Sequence, residues 1–273
     1  MIQFIIRQLF RLLPLRLFIS KRYYEFIARK FPDEFWTLMN FGYSELDGDA
    51  AKLDLDPALE SERYGIQLYH HVASGADLKG RDVLEVGSGR GGGAAYIHRY
   101  LLPRTMTGVD LSANAVALCN ANHAHNGLSF RVGNAEALPF EDASFDVVIN
   151  VESSHCYGSV ENFLSEVHRV LRPGGHFLFT DVRHYRTMDL LKEQLSSSPL
   201  QLLEQRDITR NVIKALELEK PRKLALIAKR VPRFMTTPVT DFTAATEDST
   251  VWRGLLTGKS QYLTAFMRKE NGT

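Results

Sequence analysis

The chain has 273 residues, 44% hydrophobic and 24% charged, which is enough apolar material for one large core. That balance excludes disorder, collagen and coiled coil as descriptions of the whole. The formal net charge of +1, from 33 Lys+Arg against 32 Asp+Glu, conceals a polarised molecule. Residues 1–30 hold seven Lys/Arg against one acid, residues 31–62 nine acids against Lys52, and residues 206–233 nine Lys/Arg against three acids.

Residues 1–30 read as a helix kinked or broken at Pro14. Gln3, Arg7 and Arg11 form one narrow stripe, and Ile2, Phe4, Ile5, Ile6, Leu9, Phe10, Leu12 and Leu13 cover the rest. Such a face suits a helix lying in the membrane surface, and suits equally well packing on the protein's own core or on a second subunit as a homodimer. The first 24 residues lack acids, as in a mitochondrial transit peptide, but their near-absence of serine counts against one. No apolar run approaches the ~20 residues of a membrane span, and Arg7, Arg11 and Arg16 interrupt any signal-peptide core. Cys119 and Cys156 make no disulfide framework and no metal-ligand spacing. A cytoplasmic protein with reduced thiols and no metal follows, with the inner membrane face as a docking surface.

Residues 31–62 read as a cap or lid segment carrying an aromatic cluster from Phe35-Trp36 to Phe41-Gly42-Tyr43. From residue 63 the pattern becomes regular: helix 63–75, strand 83–86, helix 94–102, strand 107–111, helix 113–123, strand 128–132, strand 146–151, helix 160–171 and strand 176–181. This alternation predicts an α/β fold, a Rossmann-like doubly wound and mostly parallel sheet with helices on both faces. The strand signal then stops. The expected layout is an N-terminal amphipathic helix and cap at 1–62, a cofactor-binding core at 63–183, a helical basic lid at 184–240, and closing strands within 241–273, near 242–245 and 261–267.

The run Val83-Leu84-Glu85-Val86-Gly87-Ser88-Gly89-Arg90-Gly91-Gly92-Gly93 stands where a strand hands over to a helix. Gly87, Gly89 and Gly92 satisfy G-x-G-x-x-G, which brings a ligand close to backbone. Asp110 ends the next strand, where a carboxylate can bind a ribose diol. A nicotinamide dinucleotide and S-adenosylmethionine both fit this much. Glu85 favours the second, because a carboxylate suits a cationic amino-acid end and sits poorly beside a pyrophosphate. The segment 133–140, with Asn134, Ala135 and Glu136, offers polar and backbone groups to an adenine edge.

Leu84-Glu85-Val86-Gly87-Ser88-Gly89-Arg90-Gly91, Asp110-Leu111-Ser112, Gly133-Asn134-Ala135-Glu136, Phe145-Asp146-Val147-Val148 and Leu171-Arg172-Pro173-Gly174-Gly175 together resemble a class I S-adenosylmethionine-dependent methyltransferase over residues 63–183. More narrowly, Tyr69-His70-His71 and the run from Asn150 to Tyr157 resemble the mycobacterial phthiotriolone and phenolphthiotriolone dimycocerosate O-methyltransferases and related fatty-acid O-methyltransferases. The resemblance implies that Gly87, Gly89 and Gly91 line the methionyl moiety, Glu85 fixes its ammonium, Asp110 takes the ribose and Leu111 packs on adenine. Asn150 would present backbone to the methionyl end, and Asn40-Phe41-Gly42-Tyr43 would form the entry beside the lid. Asn134 departs from the family's commoner aspartate, although its amide oxygen can still accept from the adenine amino group.

His155 follows the fourth parallel strand and Asp181 ends the fifth, so both reach the carboxyl edge of the sheet, where ligands bind. A histidine oriented by a carboxylate suits proton removal from an alcohol, and similar O-methyltransferases carry this pair at matching positions. Glu152 is an alternative ligand for cofactor or substrate. The expected reaction is O-methylation of a hydroxyl on a hydrophobic or lipid-like molecule. C- or N-methylation of a quinone, sterol, polyketide or amine, and carboxyl methylation of a fatty acid, are the alternatives. A non-catalytic cofactor-binding scaffold is disfavoured by His155 and Asp181 occurring together. Nucleic acid is not an expected partner, since the basic segments carry few stacking aromatics.

Overall fold

The computed structural model describes residues 37–47, 53–123, 125–231, 233 and 236–271. The helix expected at 1–30 falls outside these residues, as do parts of the acidic segment. After a 3-10 turn, Pro57–Glu62, come α1 (Arg63–Ala73), β1 (Asp82–Val86), α2 (Gly92–Leu101), β2 (Thr105–Asp110), α3 (Ala113–Asn122), β3 (Leu128–Val132) and β4 (Phe145–Val151). A second 3-10 turn, Ser154–Cys156, leads to α4 (Val160–Val170), β5 (Leu171–His184), α5 (Tyr185–Ser196), β6 (Gln201–Asp207), α6 (Thr209–Arg230), α7 (Thr236–Phe242), α8 (Thr250–Leu256) and β7 (Ser260–Arg268).

The strands form one seven-stranded sheet in the order β3-β2-β1-β4-β5-β7-β6. β1 pairs in parallel with β2 on one side and β4 on the other, whereas β7 is antiparallel to both β5 and β6. β1 is buried along its whole length, as a central strand covered on both faces must be. Its side chains alternate between two cores. Val83 joins Ile66, Leu68, Ile97 and Ile149 on one face, and Leu84 joins Val148, Phe163 and Phe177 on the other. α4 shows why the flanking helices form where they do. Ser159 caps its first turn by accepting from Asn162 N–H, and Phe163, Leu164, Val167 and Val170 turn one apolar stripe onto the sheet. Chain order reverses at β1, between β2 and β4, so a crevice opens at the carboxyl ends of β1 and β4.

The expected core strands and helices are present, with two differences beyond β5. The segment expected to be wholly helical contains the edge strand β6, whose side chains are half-buried at best. Glu204, Arg206 and Asp207 protect that edge with charge and erase the apolar signature of a strand. The strand expected at 242–245 is instead the end of α7 and a turn, where Ala244 takes the left-handed conformation with φ 48°. The second closing strand is β7. Ser44 is tied to α6, donating its N–H to Asn211 O at 3.2 Å and accepting from Asn211 Nδ2 at 3.0 Å. The 37–47 segment and α6 therefore meet at the same end of the molecule as the crevice.

Candidate active site

The glycine turn after β1 is held by the neighbouring strand. Gly87 and Ser88 N–H both donate to Val109 O, at 2.8 and 3.1 Å, and Gly89 N–H donates to Asp110 Oδ2 at 2.9 Å. Asp110 Oδ1 accepts from Ser112 N–H at 2.9 Å, so one carboxylate fixes two loops. Burial raises the Asp110 pKa against these donated hydrogen bonds. Gly87 has φ 77°, and a Cβ there would meet Ser153 Oγ at 2.3 Å. Only glycine lets the turn after β1 touch the turn after β4.

Between these turns is an open cavity enclosing about 1170 Å³, mouth included. Gly87, Gly89, Asp110, Leu111, Asn134 and Ala135 line the cavity. The other site residues singled out by sequence stand behind this wall. Glu85 is fully buried and accepts from Tyr69 OH at 2.6 Å, and Tyr69 itself reaches the cavity. Gly91 faces α3, where a Cβ would meet His123 and Cys119. Glu136 accepts from Gly158 N–H at 2.7 Å, bracing the loop after β3. Asn150 directs its side-chain amide to Val86 O, Ser153 Oγ and Tyr157 OH, at 2.9, 2.7 and 2.9 Å. Tyr43 stacks on His71 with centroids 4.2 Å apart, away from the cavity.

Asp181 is fully buried and saturated with donors. Ser154 Oγ donates at 2.6 Å, His155 N–H at 2.9 Å and Val182 N–H at 2.7 Å, and His155 Nδ1 and Arg183 approach at 2.8 and 3.0 Å. Burial alone would raise its pKa, but Arg183, His155 and these hydrogen bonds hold it far below the usual carboxylate range. For His155, burial opposes the cation, yet Asp181, and Cys156 where its thiol is ionised, outweigh that and hold the imidazole well above its ordinary value. The expected His155–Asp181 pair is thus formed, although neither residue lines the cavity.

Glu152, Ser153, Cys156 and Tyr157 form the end of the cavity at the turn after β4. Glu152 Oε1 accepts from Phe41 N–H at 2.7 Å and from Tyr262 OH, and burial pushes its pKa up to about 7. The contributions of Ser153, Tyr157 and Tyr262 were not visible in the sequence. Tyr262 lies 110 residues from its partner, with no motif to mark it.

A glycine turn at the switch point of a parallel sheet, with an acid on the next strand, defines a Rossmann-like protein built to hold a nucleoside cofactor. Residues 84–179 match the family model described as a methyltransferase domain. The chain is 44% identical over 198 residues to a fatty-acid O-methyltransferase of Mycolicibacterium smegmatis, covering 72% of each. It is 40% identical over 217 residues to phthiotriol/phenolphthiotriol dimycocerosates methyltransferase 1 of Mycobacterium ulcerans, covering 80% of this chain and 79% of that one. Among solved structures, the [4+2]-cyclase SpnF superposes with a TM-score of 0.69 at 21% identity, covering 93% of this chain and 96% of the other. The chain belongs to the S-adenosylmethionine-dependent methyltransferase family.

The residues present fit that cofactor. Ser88 Oγ, on the cavity wall, is buried without a hydrogen-bond partner, as is Glu85 Oε2 behind it. Burial pushes the Glu85 carboxyl up to about 8, so a nearby ammonium would draw it back to its charged form. Val109, Leu111, Ala115 and Ala135 give an apolar slot for a purine. Asn134 Oδ1 already accepts from Glu136 N–H at 3.1 Å and keeps one lone pair for an adenine amino group. Bound there, S-adenosylmethionine supplies an electrophilic methyl group on a sulfonium. Among the described residues no cluster of His, Cys, Asp and Glu could hold a metal ion.

Proposed function

We propose that the protein methylates a hydroxyl group on a hydrophobic, lipid-like acceptor. The observation that carries this reading is the wall of the cavity beyond the nucleoside slot. Met39, Tyr69, Val151 and Tyr157 make it largely apolar, and beside the Cys156 thiol it carries the carboxyl of Glu152. The charged guanidinium on the wall belongs to Arg90, on the cofactor turn. A carboxylate acceptor seated against Glu152 would meet like charge unless Glu152 took up a proton, which its raised pKa of about 7 allows but which removes it as a proton acceptor. An alcohol meets no such repulsion. The two mycobacterial relatives support a lipid-like acceptor, and they differ in the group their names imply.

Methyl-labelled S-adenosylmethionine, offered with long-chain alcohols and with fatty acids of matching length, tests the reading. The expected product carries label that survives mild alkaline hydrolysis, because an ether resists it. Label released by alkali would identify an ester and overturn the hydroxyl assignment.

The same reading places the protein on the cytoplasmic face of a membrane, with residues 1–20 as the docking element. Seven Lys/Arg among the many apolar residues of the 1–30 sequence support this. Self-association is the competing use of that segment. No helix among the described residues is long and apolar enough to cross a membrane. Full-length protein should sediment with anionic vesicles and a chain lacking residues 1–20 should not; equal recovery in both supernatants would refute docking.

A further inference from the structure

We propose that Glu152, and not His155, takes the proton from the acceptor hydroxyl; the inference rests on the O-methylation reading above. Glu152 lines the cavity, whereas His155 and Asp181 do not. The backbone at Glu152 is left-handed, with φ 48°, a conformation unfavourable for a residue with a Cβ. It is held there by donation of Glu152 N–H to Thr180 O at 2.9 Å. Unusual backbone held by its surroundings in this way is found at sites where a side chain must be aimed.

The two carboxyl oxygens are also unequal. Phe41 N–H and Tyr262 OH both end on Oε1, and among the described residues Oε2 has no hydrogen-bond partner. Oε1 is therefore an anchor, and Oε2 is left for an acceptor hydroxyl. The anchors come from opposite ends of the chain, Phe41 from the 37–47 segment and Tyr262 from β7, so the carboxyl is fixed before substrate arrives. By contrast, His155 Nδ1 is held by Asp181 at 2.8 Å, and an ionised Cys156 together with Asp181 raises the imidazole's pKa and so favours its cation, which has no lone pair to accept a proton. A carboxyl with a pKa of about 7 is matched to proton transfer near neutrality.

The proton balance is complete without a further reactant. The acceptor oxygen bonds to the donor methyl as the carbon–sulfur bond breaks, and that electron pair remains on sulfur as a thioether. The hydroxyl proton passes to Glu152 Oε2, leaving a neutral ether and a neutral carboxylic acid that later returns the proton to solvent.

The groups facing Glu152 come from four elements: Tyr262 on β7, Asp181 on β5, His155 on the turn after β4, and Tyr69 on α1, itself bonded to Glu85. Asp181 raises the Glu152 pKa while His155 and the Tyr262 hydrogen bond lower it. This makes His155 a positioning residue that keeps Glu152 partly ionised.

The test is the pH profile of kcat/KM for a long-chain alcohol, with S-adenosylhomocysteine affinity measured on each variant as a control for folding. Wild-type kcat/KM should rise with pH through a limb near 7 and then level off. Glu152→Gln should lose this limb and about 10²- to 10⁴-fold in kcat, with S-adenosylhomocysteine affinity kept. His155→Asn should keep the limb and move it to higher pH, because a cation beside the carboxyl is gone. Should Glu152→Gln not fold, Tyr262→Phe decides: loss of one donor to Oε1 should also move the limb upward, and an unmoved limb overturns the proposal. An ether product with Glu152→Gln at the wild-type rate, or a limb lost only in His155→Asn, overturns this inference alone. An alkali-labile product overturns the hydroxyl reading and this inference with it.

Discussion

Replacing Asp110 with alanine is expected to weaken S-adenosylhomocysteine binding by about 10²- to 10³-fold, as measured by calorimetry. The size follows from what the carboxylate holds. Asp110 accepts from Gly89 N–H and Ser112 N–H, each at 2.9 Å, and its side chain also lines the nucleoside cavity. Alanine would release the glycine turn and remove the acceptor for the ribose hydroxyls. Hydrogen bonds to a charged group are each worth roughly 1.5–3 kcal/mol, and about 1.4 kcal/mol is tenfold in affinity. Asp110→Asn, which retains one acceptor oxygen, should fall between the two. An affinity within about threefold of wild type would remove Asp110 from the binding role.

Asp181→Ala should act on stability. The carboxylate is fully buried and neutralises Arg183 and His155 while accepting from Ser154, His155 and Val182. Its loss leaves a guanidinium with an 11% exposed side chain lacking its counter-charge. Breaking a buried ion pair from one side costs about 3–5 kcal/mol, or about 10 °C in Tm for a chain of this size. The pH dependence has a definite sign. The Asp181 pKa is depressed in the folded protein, so its stabilisation is complete above the unfolded value of about 4 and fades as pH falls through the folded one. The Tm gap between wild type and variant should therefore narrow in strong acid. A Tm within about 2 °C of wild type at neutral pH would show that Asp181 is not the keystone of this turn.

Much of this site was legible in the sequence because its constraints are local. Gly87 and Gly89 have positive φ, a requirement that glycine advertises, and Asp110 follows at the end of the next strand. The unbroken apolar run of β4 and the Ser159 cap of α4 declared themselves in the same way. What could not be read depends on distant partners. β6 is a charged edge strand recognisable only by its pairing with β7. Glu152 sits in a left-handed conformation with no glycine to signal it, anchored by residues 111 and 110 positions away. Sequence placed His155 beside Asp181 but gave no hint that five donors converge on that aspartate.

The turn after β4 should meet the methyl group delivered by the turn after β1. A crystal structure with S-adenosylhomocysteine tests it directly. The adenine should lie between Leu111 and Ala135 with the ribose on Asp110, and the sulfur should face Glu152 Oε2 across a gap wide enough for a methyl group and an oxygen. A sulfur directed away from Glu152, or a nucleoside seated outside the glycine turn, would contradict this placement.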